Sequence, residues 1–391
     1  MSVRFPLIAR IGAAIALGIL LGRLIPEWTV AVFTTFNGVF SSFLKFLIPL
    51  IIVGLVMPAI ADIGRSAGRL LLITVCIAYG STVCSGLFSY SVSASVFPHL
   101  IAPNEALTAV ENNTAGIAPY FTLAVPPLLD VMSALVLAFV AGLGMAYMNL
   151  PRMKGVADDF KQLIERTIGV AVIPLLPLYI FGIFLEMTRT GQAWHIVMTF
   201  AAIIGIIFAM HLALLLLQYC IAGAITRRNP FRLLWNMLPA YFTALGTSSS
   251  AATIPVTLRQ AVRMGVAENI AGFTVPLCAT IHMSGSCMKI TACAVALMLM
   301  QGLPFTTGMF VGFVLMLGVM MVASPGVPGG AIMASLGVLA SMLGFGEQDC
   351  ALMIALYIAM DSFGTACNVT GDGAIALIVD KLQRKSEKHF K

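Results

Sequence analysis

GTSSSAATIP, residues 246–255, lies in the middle of a segment that begins and ends with basic residues, Arg232 on one side and Arg259 and Arg263 on the other. An ordinary spanning helix would put those ends on opposite faces of a bilayer. Gly246, the serines and Pro255 also compete with or interrupt a helical ladder. The simplest reading is a helical hairpin over 231–258 that enters a membrane and returns to the same side. Such backbone is tolerated at membrane depth only where protein or a cavity satisfies it.

A second stretch repeats the pattern. ASPGVPGGA (323–331) sits between two apolar arms in 304–342 and predicts a hairpin entering from the opposite face. Beside each hairpin lies a span with a polar interruption, CATIHMSGS (278–286) and DSFGTACNVTGD (361–372). Two units of hairpin plus interrupted helix, of opposite entry, form an inverted repeat. That pattern belongs to secondary transporters with a site at the midplane.

The rest of the chain agrees. Of 391 residues, 60% are hydrophobic and 10% charged, against about 25% charged in soluble domains. The mean hydropathy is +1.00. Simple spans are expected near 6–22, 31–58, 69–97, 116–149, 168–187 and 195–225, the fourth broken by Pro126 and Pro127. The first reads as a retained helix rather than a cleaved leader. Eight cysteines without a CxxC pair give no sign of zinc or a disulfide framework. The net charge of +6 is no nucleic-acid signal, because the basic residues lie between spans. Eighteen of the 22 fall on one side, leaving Arg23 and Arg189 on the other and Lys45 and Lys289 within spans. The positive-inside rule then places both termini in the cytoplasm of an inner-membrane protein.

Intramembrane charge marks chemistry. Asp361 and Asp372 stand three helical turns apart, so they share a face with Thr365 and Asn368. Ser248, Ser249 and Ser250 offer backbone N–H groups at a hairpin tip, where helix N-termini favour an anionic group. Gly326, Val327, Pro328 and Gly329 read as a flexible tip. Lys289 needs a partner: a substrate carboxylate, Asp361 or a vacated cation site are the choices, with snorkelling as the alternative. A buried His282 is either a proton carrier or a hydrogen-bonded structural group.

TSSSAATIPVT (247–257), VPLCATIHMSG (275–285), GVPGG (326–330) and DSFGTACNVTGD (361–372), in this order, resemble the dicarboxylate/amino acid:cation symporter family, the glutamate-transporter fold. The resemblance covers the C-terminal half by motif and the N-terminal half by span pattern. It implies an all-α trimer with eight transmembrane helices, two re-entrant hairpins and an elevator movement. Residues 1–68 and 98–190 would form the scaffold, and 69–97 with 191–391 the moving transport domain. It further implies that Asp361 binds a substrate ammonium, Asn368 a carboxylate, and the backbone around Thr247 and Ser249 the α-substituents. Sodium would take oxygens from Cys278, Thr280, Met283, Ser324, Asn368 and Asp372.

Departures from the family matter equally. Acidic-substrate members carry an arginine where this chain has Gly364, and DS-x-x-TA-x-N is similar to the bacterial serine/threonine branch. The family's Asn-Met-Asp-Gly-Thr stretch stands here as His282-Met283-Ser284-Gly285-Ser286. A third cation site at Tyr79, Thr82, His282 and Ser284 thereby loses two ligands. The expectation is sodium-coupled import of serine, threonine or alanine. The alternative is an acidic amino acid or dicarboxylate with Lys289 as countercharge and protons as coupling ion. A channel lacks a reason for Asp361, and no catalytic motif supports a membrane enzyme.

Overall fold

The computed structural model describes residues 7–65, 69–101, 117–189, 193–324 and 329–387. Among them there is no strand. The chain runs α1 (Leu7–Leu21), α2 (Glu27–Arg65), α3 (Arg69–Val96), α4 (Val131–Tyr147), α5 (Pro151–Thr167), α6 (Ile173–Arg189) and α7 (Ala193–Thr226). It continues with α8 (Pro230–Thr247), α9 (Ser250–Arg263), α10 (Glu268–Ile281), α11 (Ser284–Met300), α12 (Thr307–Ala323), α13 (Gly330–Leu343), α14 (Glu347–Ala359) and α15 (Asp361–Glu387). A π-helical stretch, Ile168–Val172, joins α5 to α6 without a break.

Among the described residues, five segments are long and apolar enough to cross a bilayer, or six with α14 and α15 taken as one bent span. α1, α4, α12 and α13 are shorter apolar helices. This is a polytopic membrane protein. With no water to bond the backbone in lipid, helices satisfy their own N–H and C=O groups, and only protein-covered segments depart from them.

The departures fall close to the quoted motifs, with corrections. The first hairpin breaks at Ser248 and Ser249, not at Gly246 or Pro255. Ser248 ends α8 in the left-handed region (φ 50°), and the Ser249 hydroxyl accepts from Ala252 N–H at 3.3 Å to open α9. Pro255 lies inside α9, a residue that membrane helices accept when neighbours cover the freed carbonyl. α10 and α11 are separated at His282 and Met283, as the sequence predicts. The 361–372 motif, by contrast, is continuous helix. The interruption comes one residue earlier, at Met360, where α14 and α15 meet at 63°. The fourth expected span also shrinks. Residues 117–130 are not helical, and α4 starts only where Asp130 caps it by accepting from Ser133 N–H at 2.9 Å.

α15 is the axis of the C-terminal half, packed by α7, α8, α9, α10 and α11. α11 lies against α3, where the Ser85 and Ser89 hydroxyls donate to the carbonyls of Ser284 (2.8 Å) and Met288 (2.7 Å). In the other half α1 packs on α6 and α2 on α4, α5 and α6. Between the halves α13 and α12 rest on α2, and Lys45 of α2 bonds Glu347 of α14.

Candidate functional site

Three chain breaks meet at the start of α15, those at Ser248–Ser249, before Gly330 and at Met360. Asp361 is its first residue, 3% exposed; a carboxylate there sits at the positive end of the helix dipole. One oxygen, Oδ1, lies 3.0 Å from Lys289 Nζ. The other, Oδ2, accepts from Gly329 N–H at 3.0 Å, the last residue before α13. Gly329 has φ +75°, which a side chain would strain. The neighbouring Ser362 meets Ser248 of the first hairpin, Oγ to Oγ 2.7 Å. The first turn of α15 therefore touches the first hairpin's tip and the base of the second. Gly326, Val327 and Pro328, the expected outer part of that tip, lie outside the described residues.

Lys289 is fully buried on α11. Its ammonium lies 3.4 Å from the centroid of the Tyr357 ring and 3.5 Å from the Tyr357 carbonyl, a cation–π placement. Its stem runs over Gly364. A Cβ built at 364 would stand 2.8 Å from Lys289 Nζ and 2.9 Å from Cε. The glycine thus makes the room in which the lysine lies.

Asn368, one helical turn past Thr365, has its oxygen engaged and one of its two amide hydrogens used. Its Oδ1 accepts from the N–H groups of Gly285 (2.8 Å) and Ser286 (3.3 Å), and its Nδ2 donates to Ser286 Oγ at 3.1 Å. It caps α11 across helices, filling orphan donors of that N-terminus. Ser286 Oγ also meets the Tyr357 hydroxyl at 3.0 Å.

Asp372 is 1% exposed, and its Oδ1 lies 2.9 Å from His282 Nδ1. His282 Nε2 is 3.1 Å from Ser81 Oγ, which accepts from Gln218 Nε2 at 3.1 Å; Gln218 also donates to Ser284 Oγ at 3.2 Å. Gln218, Ser81, His282 and Asp372 thus form one continuous hydrogen-bonded chain. Thr82 Oγ1, Thr370 Oγ1 and Gln218 Oε1 are buried oxygens without a hydrogen-bond partner. Thr280, on the exposed side of α10, donates to Leu277 O at 2.8 Å. The Cys278 carbonyl accepts from His282 N–H at 2.8 Å. Met283 and Ser324 supply non-helical backbone at the two breaks. The Tyr79 hydroxyl donates to Leu315 O of α12 at 3.0 Å. Among the described residues no cluster of three His, Cys, Asp or Glu could hold a metal ion.

Sequence reasoning passed over His211 and Gln218, both in the apolar run of α7. His211 is 3% exposed, with Nε2 3.0 Å from the Gly285 carbonyl, and it lines a cavity of about 340 Å³ with Phe208, Met360 and Phe363. Their signal was present: polar side chains inside a span are costly and mark function.

The model of the sodium:dicarboxylate symporter family matches residues 7–382. The chain belongs to that family.

Proposed function

We propose that this family member imports a small neutral amino acid, serine, threonine or alanine, in symport with sodium. One observation carries the reading. The first turn of α15 meets both hairpins, and the position that would hold a cationic fork for an acidic side chain is Gly364, covered by a lysine already bonded to Asp361. An acidic side chain brought to this buried place would lose its hydration and find no free bidentate partner. A hydroxyl or methyl side chain needs neither.

Sodium seeks oxygen donors. Broken-helix carbonyls at Met283 and Ser324, the second carboxylate oxygen of Asp372 and the unpartnered oxygens of Thr82, Thr370 and Gln218 are candidates. His282 occupies one Asp372 oxygen, so protons are the alternative coupling ion. In this reading the chain is an inner-membrane homotrimer with cytoplasmic termini. Residues 1–68 and 98–190 form the scaffold, past which 69–97 and 191–391 move as an elevator. The serine hydrogen bonds from α3 to α11 support grouping α3 with the C-terminal half.

The buried cation at Lys289 and the family's description favour a second reading, a dicarboxylate. Uptake of labelled serine into proteoliposomes under sodium or proton gradients separates the two. Unlabelled threonine should compete, and aspartate and succinate should not. Succinate uptake without serine uptake refutes the amino-acid reading.

A further inference from the structure

A zwitterion in a dry site needs an anion for its ammonium and a cation for its carboxylate. Where the hairpins meet α15, the structure holds one of each, and they are bonded to one another. We infer that the Lys289–Asp361 pair is the closed form of a zwitterion site: an entering amino acid parts it, giving its ammonium to Asp361 and its α-carboxylate to Lys289. This rests on the amino-acid reading above.

Three features support insertion. First, the pair adjoins backbone that can yield. Asp361 is held on its other oxygen by the Gly329 N–H, outside any helix, and Ser362 is held by the first tip. Second, the lysine can move. Its ammonium has one close bond, a 3.5 Å approach to a carbonyl and a tyrosine face 3.4 Å away. Its four-carbon stem lies over a residue without a side chain. The ring can keep a displaced ammonium partly compensated. Third, the amide expected to receive the carboxylate is partly used: Asn368 Oδ1 caps α11, and Nδ2 donates one of its two hydrogens to Ser286 Oγ.

The charge balance is what selects the ligand. A neutral zwitterion between Asp361 and Lys289 makes two ion pairs out of one, so empty and loaded sites are both neutral. An amine or a carboxylate alone would strand a buried charge. The substrate class is therefore small zwitterions that carry both an ammonium and a carboxylate.

The experiment measures binding to the purified full-length chain by calorimetry, with serine, ethanolamine (serine without its carboxylate) and 3-hydroxypropionate (serine without its ammonium). Wild type should bind serine at least about 100-fold tighter than either fragment, because each fragment forgoes one ion pair and strands the charge opposite it. Lys289→Gln should gain at least about tenfold for ethanolamine, and Asp361→Asn the same for 3-hydroxypropionate. Wild type binding either fragment within about tenfold of serine overturns the inference. So do two variants that keep serine affinity and reject both fragments. Should the single variants not fold, the uncharged double variant Lys289→Gln/Asp361→Asn decides: loss of serine binding is expected, and its retention overturns the inference. Wild type that binds none of serine, threonine and alanine sinks the proposed function, and the inference with it; the fragment results sink the inference alone.

Discussion

Two carboxylates ride on one helix, eleven residues or about 16 Å apart, and each faces a basic side chain from the α10–α11 unit. Their surroundings differ. Asp361 has a lysine on a long stem, a backbone N–H from the second hairpin and a serine neighbour held by the first. Asp372 has an imidazole locked between Ser81 of α3 and the carboxylate, with Gln218 of α7 behind. Around Asp361 half of the partners belong to chain breaks. Around Asp372 most belong to helix bodies, with His282 alone at a break. The first arrangement can open without unfolding a helix, whereas the second requires helices to separate. On the function proposed above, the substrate takes the first and the coupling ion the second.

The largest effect expected from breaking this contrast is at Asp361. Asp361→Asn leaves the Lys289 ammonium buried and unpaired, a change of about 3–5 kcal/mol. Serine uptake should fall at least about 100-fold, while the trace on size-exclusion chromatography stays monodisperse. Uptake like that of wild type refutes the site.

Next comes the pair as a unit. Thermal unfolding of Lys289→Met, Asp361→Asn and the double variant should give a coupling of about 2–3 kcal/mol, the double being more stable than the sum of the singles implies. Additive effects would mean that the 3.0 Å approach of Lys289 to Asp361 is energetically empty.

Selectivity follows, at about tenfold. A side chain at 364 collides with Lys289, so Gly364→Arg alone should impair transport. Gly364→Arg/Lys289→Met should let aspartate compete with labelled serine about tenfold better than in wild type. Aspartate competing well in wild type and failing in Lys289→Met would instead make the lysine an acidic substrate's partner.

At the second centre, Asp372→Asn should raise the sodium concentration for half-maximal uptake by about tenfold. His282→Asn, which frees an Asp372 oxygen, should lower it severalfold. An unchanged sodium dependence in both leaves Asp372 a structural partner of His282.

The smallest effect tests the rigid side. Ser85→Ala removes one hydroxyl bond between α3 and α11 and should cost about 1 kcal/mol of stability, read as a lower unfolding temperature. The half-saturating serine concentration should stay unchanged. A shift there would place α3 in substrate binding.

Composition and spacing alone established a membrane protein of many helices, two interrupted units and a face carrying Asp361, Thr365, Asn368 and Asp372. Local rules suffice for this: apolar length sets a span, glycine, proline and serine runs end one, and 3.6 residues per turn align side chains. Tertiary packing decided the rest. Whether the helix breaks inside DSFGTACNVTGD or before it, whether Asn368 Oδ1 is open or spent as a cap, and which of its possible partners Lys289 takes all depend on residues dozens to hundreds of positions apart meeting in space. Lys289 and Asp361 are 72 residues apart, and no periodicity encodes that meeting. It follows from α11 lying beside α15 with a glycine at 364 to admit the lysine stem, a consequence of shape in a medium where a buried charge must find its opposite.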